Sequence, residues 1–189
     1  MNYYFLAASL PTLSLDREPP LSVDAFRELC REQFSARDLA ELDAVLAGLE
    51  RETGGSFMRE WRARETALRN ALARARADKL SVEAAPYLQP TDRFDAAAEK
   101  AAAEAMGRRN PREREAFLDR FRWTCIDEMA GFNPFALPAL LAYALKLRIT
   151  QRWSTLDAET GRRRAETLIN QDPESKHADS AAGESDPET

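Results

Sequence analysis

Side chains able to do covalent or acid–base chemistry are few in this sequence, and their spacing does not gather them. The one histidine, His177, stands among Asp, Glu, Ser and Pro residues near the end of the chain, a composition that keeps a segment solvated. A Ser-His-Asp or Cys-His nucleophile, or a histidine metal site, needs its imidazole inside a folded body. The two cysteines, Cys30 and Cys125, each fall on the apolar side of a helical pattern and read as small buried hydrophobes in a reducing compartment. Carboxylates pair as Asp127 with Glu128 and Glu113 with Glu115, adjacent or two apart, so on a helix they do not converge on one point. Gly54-Gly55 lacks the preceding strand and the Lys-Ser/Thr ending of a phosphate loop, and EF-hand spacing is absent. The sequence therefore assigns no catalytic, cofactor-binding or metal-ligating residue, and no cofactor or small-molecule substrate is expected.

Cations at apolar positions are the remaining candidates, and they act by contact. Arg64 falls within the helical stripe of Phe57, Trp61 and Leu68. That position suits a snorkelling side chain, a buried ion pair or an interface anchor. Lys146, Arg148 and Arg152 interrupt an otherwise apolar helix and are followed by Arg162, Arg163 and Arg164, an arrangement suited to the mouth of a docking site. Arg64, Arg148 and Arg152 are the expected partner contacts. Arg59, Arg62, Arg69 and Arg76 share another side of the helix that carries Arg64 and could form a phosphate-binding stripe, but Glu60, Glu65 and Asp78 interrupt it as on a solvated face. The net charge of −5 equals that of the segment from Asn170 to Thr189, where six acids face Lys176. The remaining body is neutral, and no nucleic-acid partner is expected.

The elements that would position these residues are helices. Ala, Leu, Glu and Arg dominate and glycine is scarce, so the expected fold is all-α, a multi-helix bundle of about seven helices in one or two lobes. Tyr3–Leu6 reads either as a short strand or as the first turns of a buried helix. Ser22 starts a helix, the stretch from Ser35 to Asp38 starts a second that Gly54 and Gly55 close, and Ser56 caps a third to about Lys79. Pro86 and Pro90 mark a loop or hinge near 81–91. An alanine-rich helix from about Asp92 to Met106 lacks large apolar residues, which predicts shallow packing or an exposed lever. Asn110, Pro111 and Glu113 start a sandwiched helix that Gly131 stops. Leu137–Trp153 is apolar nearly all round, as in a central buried helix, and a last helix is expected from about Ala158 to Ile169. Residues 1–169 form the expected helical domain and 170–189 a disordered acidic tail. The start of the chain has no basic n-region, and its longest apolar stretch is below the about 20 residues a bilayer requires, so neither export nor membrane spanning is expected.

The blocks MNYYFLAASLP, PPLSVDAFRELC and NPFALPALLAYALKLRITQRW resemble those of an uncharacterised bacterial family whose genes accompany V/A-type rotary ATPase subunits. The same blocks look like a shortened relative of the V/A-ATPase C subunit, called d in eukaryotic enzymes. That subunit opens with an aromatic segment, then a Leu-Ser/Thr-x-x-x-Phe/Tyr-x-x-Leu helix and a Leu-x-Asp-Leu-like helix. Here these correspond to Tyr3–Leu6, to Leu21-Ser22 through Phe26 and Leu29, and to Ala36–Leu42. Near its end it carries Pro, an apolar Ala-Tyr helix and a basic stretch, matched by Pro138, Ala142, Tyr143, Lys146, Arg148 and Arg152. The resemblance implies a non-catalytic, all-helical socket or accessory that joins the rotor axle to the membrane ring. It also implies a cytoplasmic protein, held peripherally on the inner face of the cell membrane through the ATPase. The C subunit has three similar lobes and is much longer, so a chain of this length corresponds to a reduced socket, an assembly factor or a linked accessory. The other reading is a helical adaptor or regulatory module that binds nucleic acid through the Arg-rich helix.

Overall fold

Short-range chemistry starts and stops most of the elements. A computed structural model describes residues 3–48, 55–91 and 93–156. Among the described residues there are seven α-helices and no strand: α1 (Tyr4–Ser9), α2 (Val23–Arg31), α3 (Ala36–Ala47), α4 (Ser56–Leu80), α5 (Ala96–Gly107), α6 (Pro111–Ala130) and α7 (Leu137–Thr155). The side chains of Ser22 and Ser35 accept the N–H groups of Ala25 at 3.1 Å and Asp38 at 3.2 Å, satisfying otherwise unpaired donors in the first turns of α2 and α3. Asn110 does the same for Arg112 at 2.8 Å, with Pro111 at the first helical position of α6. Gly131, at φ 73°, ends α6.

The N-terminal aromatics form a helix, not a strand: the Tyr3 carbonyl accepts the Ala7 N–H at 2.9 Å. Gly48, and not Gly54-Gly55, closes α3, with φ 84° and ψ −156°, a region open essentially to glycine alone. Gly55 is the N-cap of α4 and Ser56 is its first helical residue. Asp95 caps α5 by accepting from Ala97 and Ala98 at 3.0 and 3.1 Å, so this helix starts at Ala96 and not near Asp92. Nor is α5 an exposed lever. Ala98, Ala102 and Ala105 are buried in one cluster with Leu68, Ala71 and Leu72 of α4 and Leu118 of α6, since small side chains let helix axes approach closely.

Residues Met1–Gln151 form one compact unit and Arg152–Thr189 a second. Within the first, two apolar clusters share their longest helices. One joins Tyr3 and Leu6, Phe26 and Cys30, Leu42 and Val45, the start of α4 (Phe57, Met58, Trp61), Ile126 of α6 and most of α7. The other is built from the later turns of α4, from α5, and from Leu118 with Phe117 and Phe121 on α6. α7 is buried nearly all round through Leu140, Leu141, Ala142, Ala144, Leu145 and Leu147. The 81–91 segment lies inside this unit and carries a short turn of 3-10 helix, Ala85–Tyr87. The buried amide of Asn70 holds it, donating to the Gln89 carbonyl and accepting the Gln89 N–H, both at 2.8 Å. Of the second unit, the described residues are the last turn of α7 and Leu156. The helix expected from Ala158 to Ile169 and the tail expected over 170–189 lie outside the described residues.

Candidate functional site

Arg64 and Arg148 meet different partners in different parts of the first unit. Arg64 lies in α4 and its side chain is 17% exposed. It donates to Glu60 at 2.8 Å, one turn back, and to Glu128 of α6 at 2.7 Å. Glu60 also accepts from Arg93 at 2.8 Å. Partial burial works against the Arg64 charge, but the hydrogen bonds it donates to Glu60 and Glu128 outweigh it and hold the guanidinium above its ordinary pKa. Glu60 is held below the usual carboxylate range by its hydrogen bond to Arg64, which outweighs burial, with Arg93 adding to the effect. Arg64 is therefore a buried-end ion pair joining α4 to α6, the second of the three roles its position allows.

Arg148 reaches the end of α3. Its Nη1 donates to the Val45 carbonyl at 2.8 Å, and a Cβ added at Gly48 would stand 2.9 Å from its Nη2. A cation here satisfies a helix C-terminal carbonyl and complements the helix dipole. Arg152, in the second unit, lies over the ring of Trp153 at 5.9 Å from its centroid. On the Arg-rich side of α4, Arg69 stands 4.0 Å from Glu65 and Arg74 pairs with Glu99 of α5.

A fourth arginine forms the most buried charged cluster among the described residues. Arg122 Nε donates to Glu65 at 2.8 Å, and its Nη1 donates to Asp119 at 2.9 Å and Glu115 at 3.1 Å. Glu65 is 5% exposed and Asp119 is fully buried. Burial opposes the Arg122 charge, but the fields and hydrogen bonds of Glu65 and Asp119 prevail and raise its pKa. One planar guanidinium against three carboxylates is a clamp between α4 and α6, made of charge-assisted bonds that offset desolvation. The sequence carried a signal for it: Glu115, Asp119 and Arg122 recur on one face of α6 at helical spacing, and Glu65 falls between Trp61 and Leu68 on the apolar stripe of α4.

Neither cysteine is poised as a nucleophile. Burial pushes the Cys30 thiol up to about 12 and also raises Cys125, against a hydrogen bond with Arg64, so the reactive thiolate is disfavoured. Among the described residues no group of three or more His, Cys, Asp or Glu is placed to hold a metal ion. No described helix is long and apolar enough to cross a membrane.

The surface offers a groove of about 290 Å³ between the α1 end and α7, lined by Leu10, Pro11, Leu13, Trp123, Tyr143 and Lys146 among others. The Tyr143 hydroxyl donates to the Pro11 carbonyl at 3.0 Å. Lys146 Nζ lies 4.7 Å from the Trp123 ring centroid and pairs with Asp127. This wall mixes apolar side chains with a polar end at which Lys146 is paired with Asp127.

A family model described as "Protein of unknown function (DUF2764)" matches residues 100–172. The match takes in most of α5, all of α6, with the Arg122 clamp's three local members, and α7. No curated protein and no solved structure matches the chain.

Proposed function

We propose that this chain is a non-catalytic helical subunit or accessory of a bacterial V/A-type rotary ATPase, a reduced socket that contacts the rotor axle, the membrane ring or both from the cytoplasmic side. One observation carries the reading. The blocks that resemble the C subunit come from opposite ends of the body, and they pack into a single cluster containing Tyr3, Leu6, Phe26, Leu42 and the α7 residues Ala142, Leu145 and Leu147. The joints between them are specific. Tyr3 N–H donates to Phe135 O at 2.8 Å, Val23 N–H to Gln151 Oε1 at 2.9 Å, and Arg148 to Val45 O. The weaker middle of the resemblance forms the other cluster. A coupling protein needs rigid helices and contact surfaces and no bond-making groups. That requirement agrees with ion clusters whose charges are spent inside the fold.

The test is co-purification. Native membranes extracted with mild detergent, followed by capture of the tagged chain, are expected to yield the ATPase soluble and ring subunits in fixed ratio. A chain found solely in the free pool, from cells whose ATPase survives the same extraction intact, refutes the reading.

A further inference from the structure

Two stretches of the chain carry no charged residue, from Tyr3 to Leu15 and from Met129 to Leu145, in a protein that is 31% charged. The fold brings them together. The Tyr3 N–H donates to the Phe135 carbonyl at 2.8 Å, the rings of Tyr4 and Phe135 lie 4.7 Å apart, and the two stretches supply most of the groove beside Trp123. Within these two stretches Tyr4, Phe5 and Phe132 are exposed at 54%, 82% and 107%, with the Tyr4 ring in contact with those of both Phe5 and Phe135. Phe132 is held outward by a structured turn. Gly131 precedes it at φ 73°, and the Asn133 side chain accepts the Phe135 N–H at 3.0 Å while its carbonyl accepts from Ala136 at 3.2 Å.

We infer that this uncharged face, with Phe5 and Phe132 as anchors beside the groove, is the docking surface for one apolar, uncharged helix of a partner protein. Charge and area select that occupant. An anionic lipid surface or a nucleic acid is held through clustered Lys and Arg, and both stretches lack them. At about 200 Å² for a full aromatic side chain, the three exposed rings present about 500 Å². That is a large patch for a monomer, yet below the about 800 Å² per partner of a standard protein interface. With the groove added, it matches a single helix laid into a channel, whereas a stable pair of copies calls for more. The inference stands on this face alone and does not depend on the ATPase reading.

A photo-reactive phenylalanine analogue placed at Phe5 or at Phe132 in the full-length chain, expressed in its native cells, tests the proposal. Mass spectrometry of the cross-linked peptides is expected to find both positions on one uncharged apolar segment of one other protein. Thr12→Asp puts a charge on the exposed lip of the groove and is expected to lower the yield at least about tenfold, because an unpaired charge resists burial, while leaving the Tm unchanged. Cross-links to a second copy, to lipid or to a charged segment overturn the inference, as does their absence or a yield indifferent to Thr12→Asp. The captured chain's identity separates the two proposals. An apolar helix from a protein outside the rotary ATPase upholds this face and counts against the ATPase reading.

Discussion

Replacing Arg122 with methionine removes a guanidinium that Glu65, Asp119 and Glu115 share while keeping an apolar stem of similar length. Asp119 is fully buried and Glu65 nearly so, so the change takes charge-assisted donors from two carboxylates that water reaches poorly. Breaking a buried pair from one side costs about 3–5 kcal/mol. For a chain of this size, that corresponds to a fall in Tm of about 6–20 °C. The matched control is Arg120→Met, two residues away. Arg120 pairs with Asp16 at 3.4 Å with side chains 61% and 78% exposed, so its loss is expected to move Tm by less than about 2 °C. Thermal unfolding followed by circular dichroism measures both. Arg122→Lys restores charge but not the planar fork, and is expected to fall between them. If Arg122→Met unfolds within 2 °C of the Arg120 control, the clamp does not hold α4 to α6 and the reasoning fails.

Gly48→Ala forces a side chain onto a backbone at φ 84° and is expected to cost about 1–3 kcal/mol in urea denaturation. The same cost should persist in an Arg148→Ala background. If it vanishes there, contact with the guanidinium, not the backbone, demands glycine. On the alkaline side, burial together with the Asp38 contact raises Tyr3 from 10.0 to about 12, and burial alone raises Tyr143 from 10.0 and Cys30 from 9.0 to about 12. The folded state thus keeps protons that the unfolded chain gives up between these values, and stability must fall with rising pH there. Tm is expected to hold to about pH 9 and to drop steeply toward pH 12, with the tyrosinate absorbance of Tyr3 and Tyr143, isolated by Tyr→Phe at Tyr4 and Tyr87, appearing in step with unfolding. A Tm that is flat across that window refutes the assignment.

Helix starts were legible because their chemistry is local. Ser22, Ser35 and Asn110-Pro111 act on N–H groups within three residues, and Gly131 ends α6 by its own φ. The end of α3 was not. Leu49 continues the apolar stripe of Leu42, Val45 and Leu46 past Gly48, and part of what crowds that glycine, the Arg148 guanidinium, arrives from a helix a hundred residues on. The alanines of α5 misled for a related reason. Without a neighbour in view, small side chains suggest weak packing, whereas against α4 they permit a close approach. For the candidate residues, sequence placed Arg64 among apolar neighbours, but its acceptor Glu128 lies on α6. The Arg122 clamp is not visible along α6 alone, because Glu65 joins it from α4.

The hydrogen bond from Val23 to Gln151 joins residues 128 apart in the chain, and this sets an order of assembly during synthesis. α4, α5 and α6 follow one another and can close their shared cluster as soon as they leave the ribosome. The first three helices cannot finish theirs. Their partner α7 follows all six of the preceding helices, and at about 5–20 residues per second Gln151 arrives about 6–25 s after Val23. Throughout that interval Leu6, Phe26, Leu42 and Val45, all buried at the end, are open to solvent and to other nascent chains. The wait for α7 is therefore the interval in which an incomplete fold of this chain exposes apolar surface during synthesis.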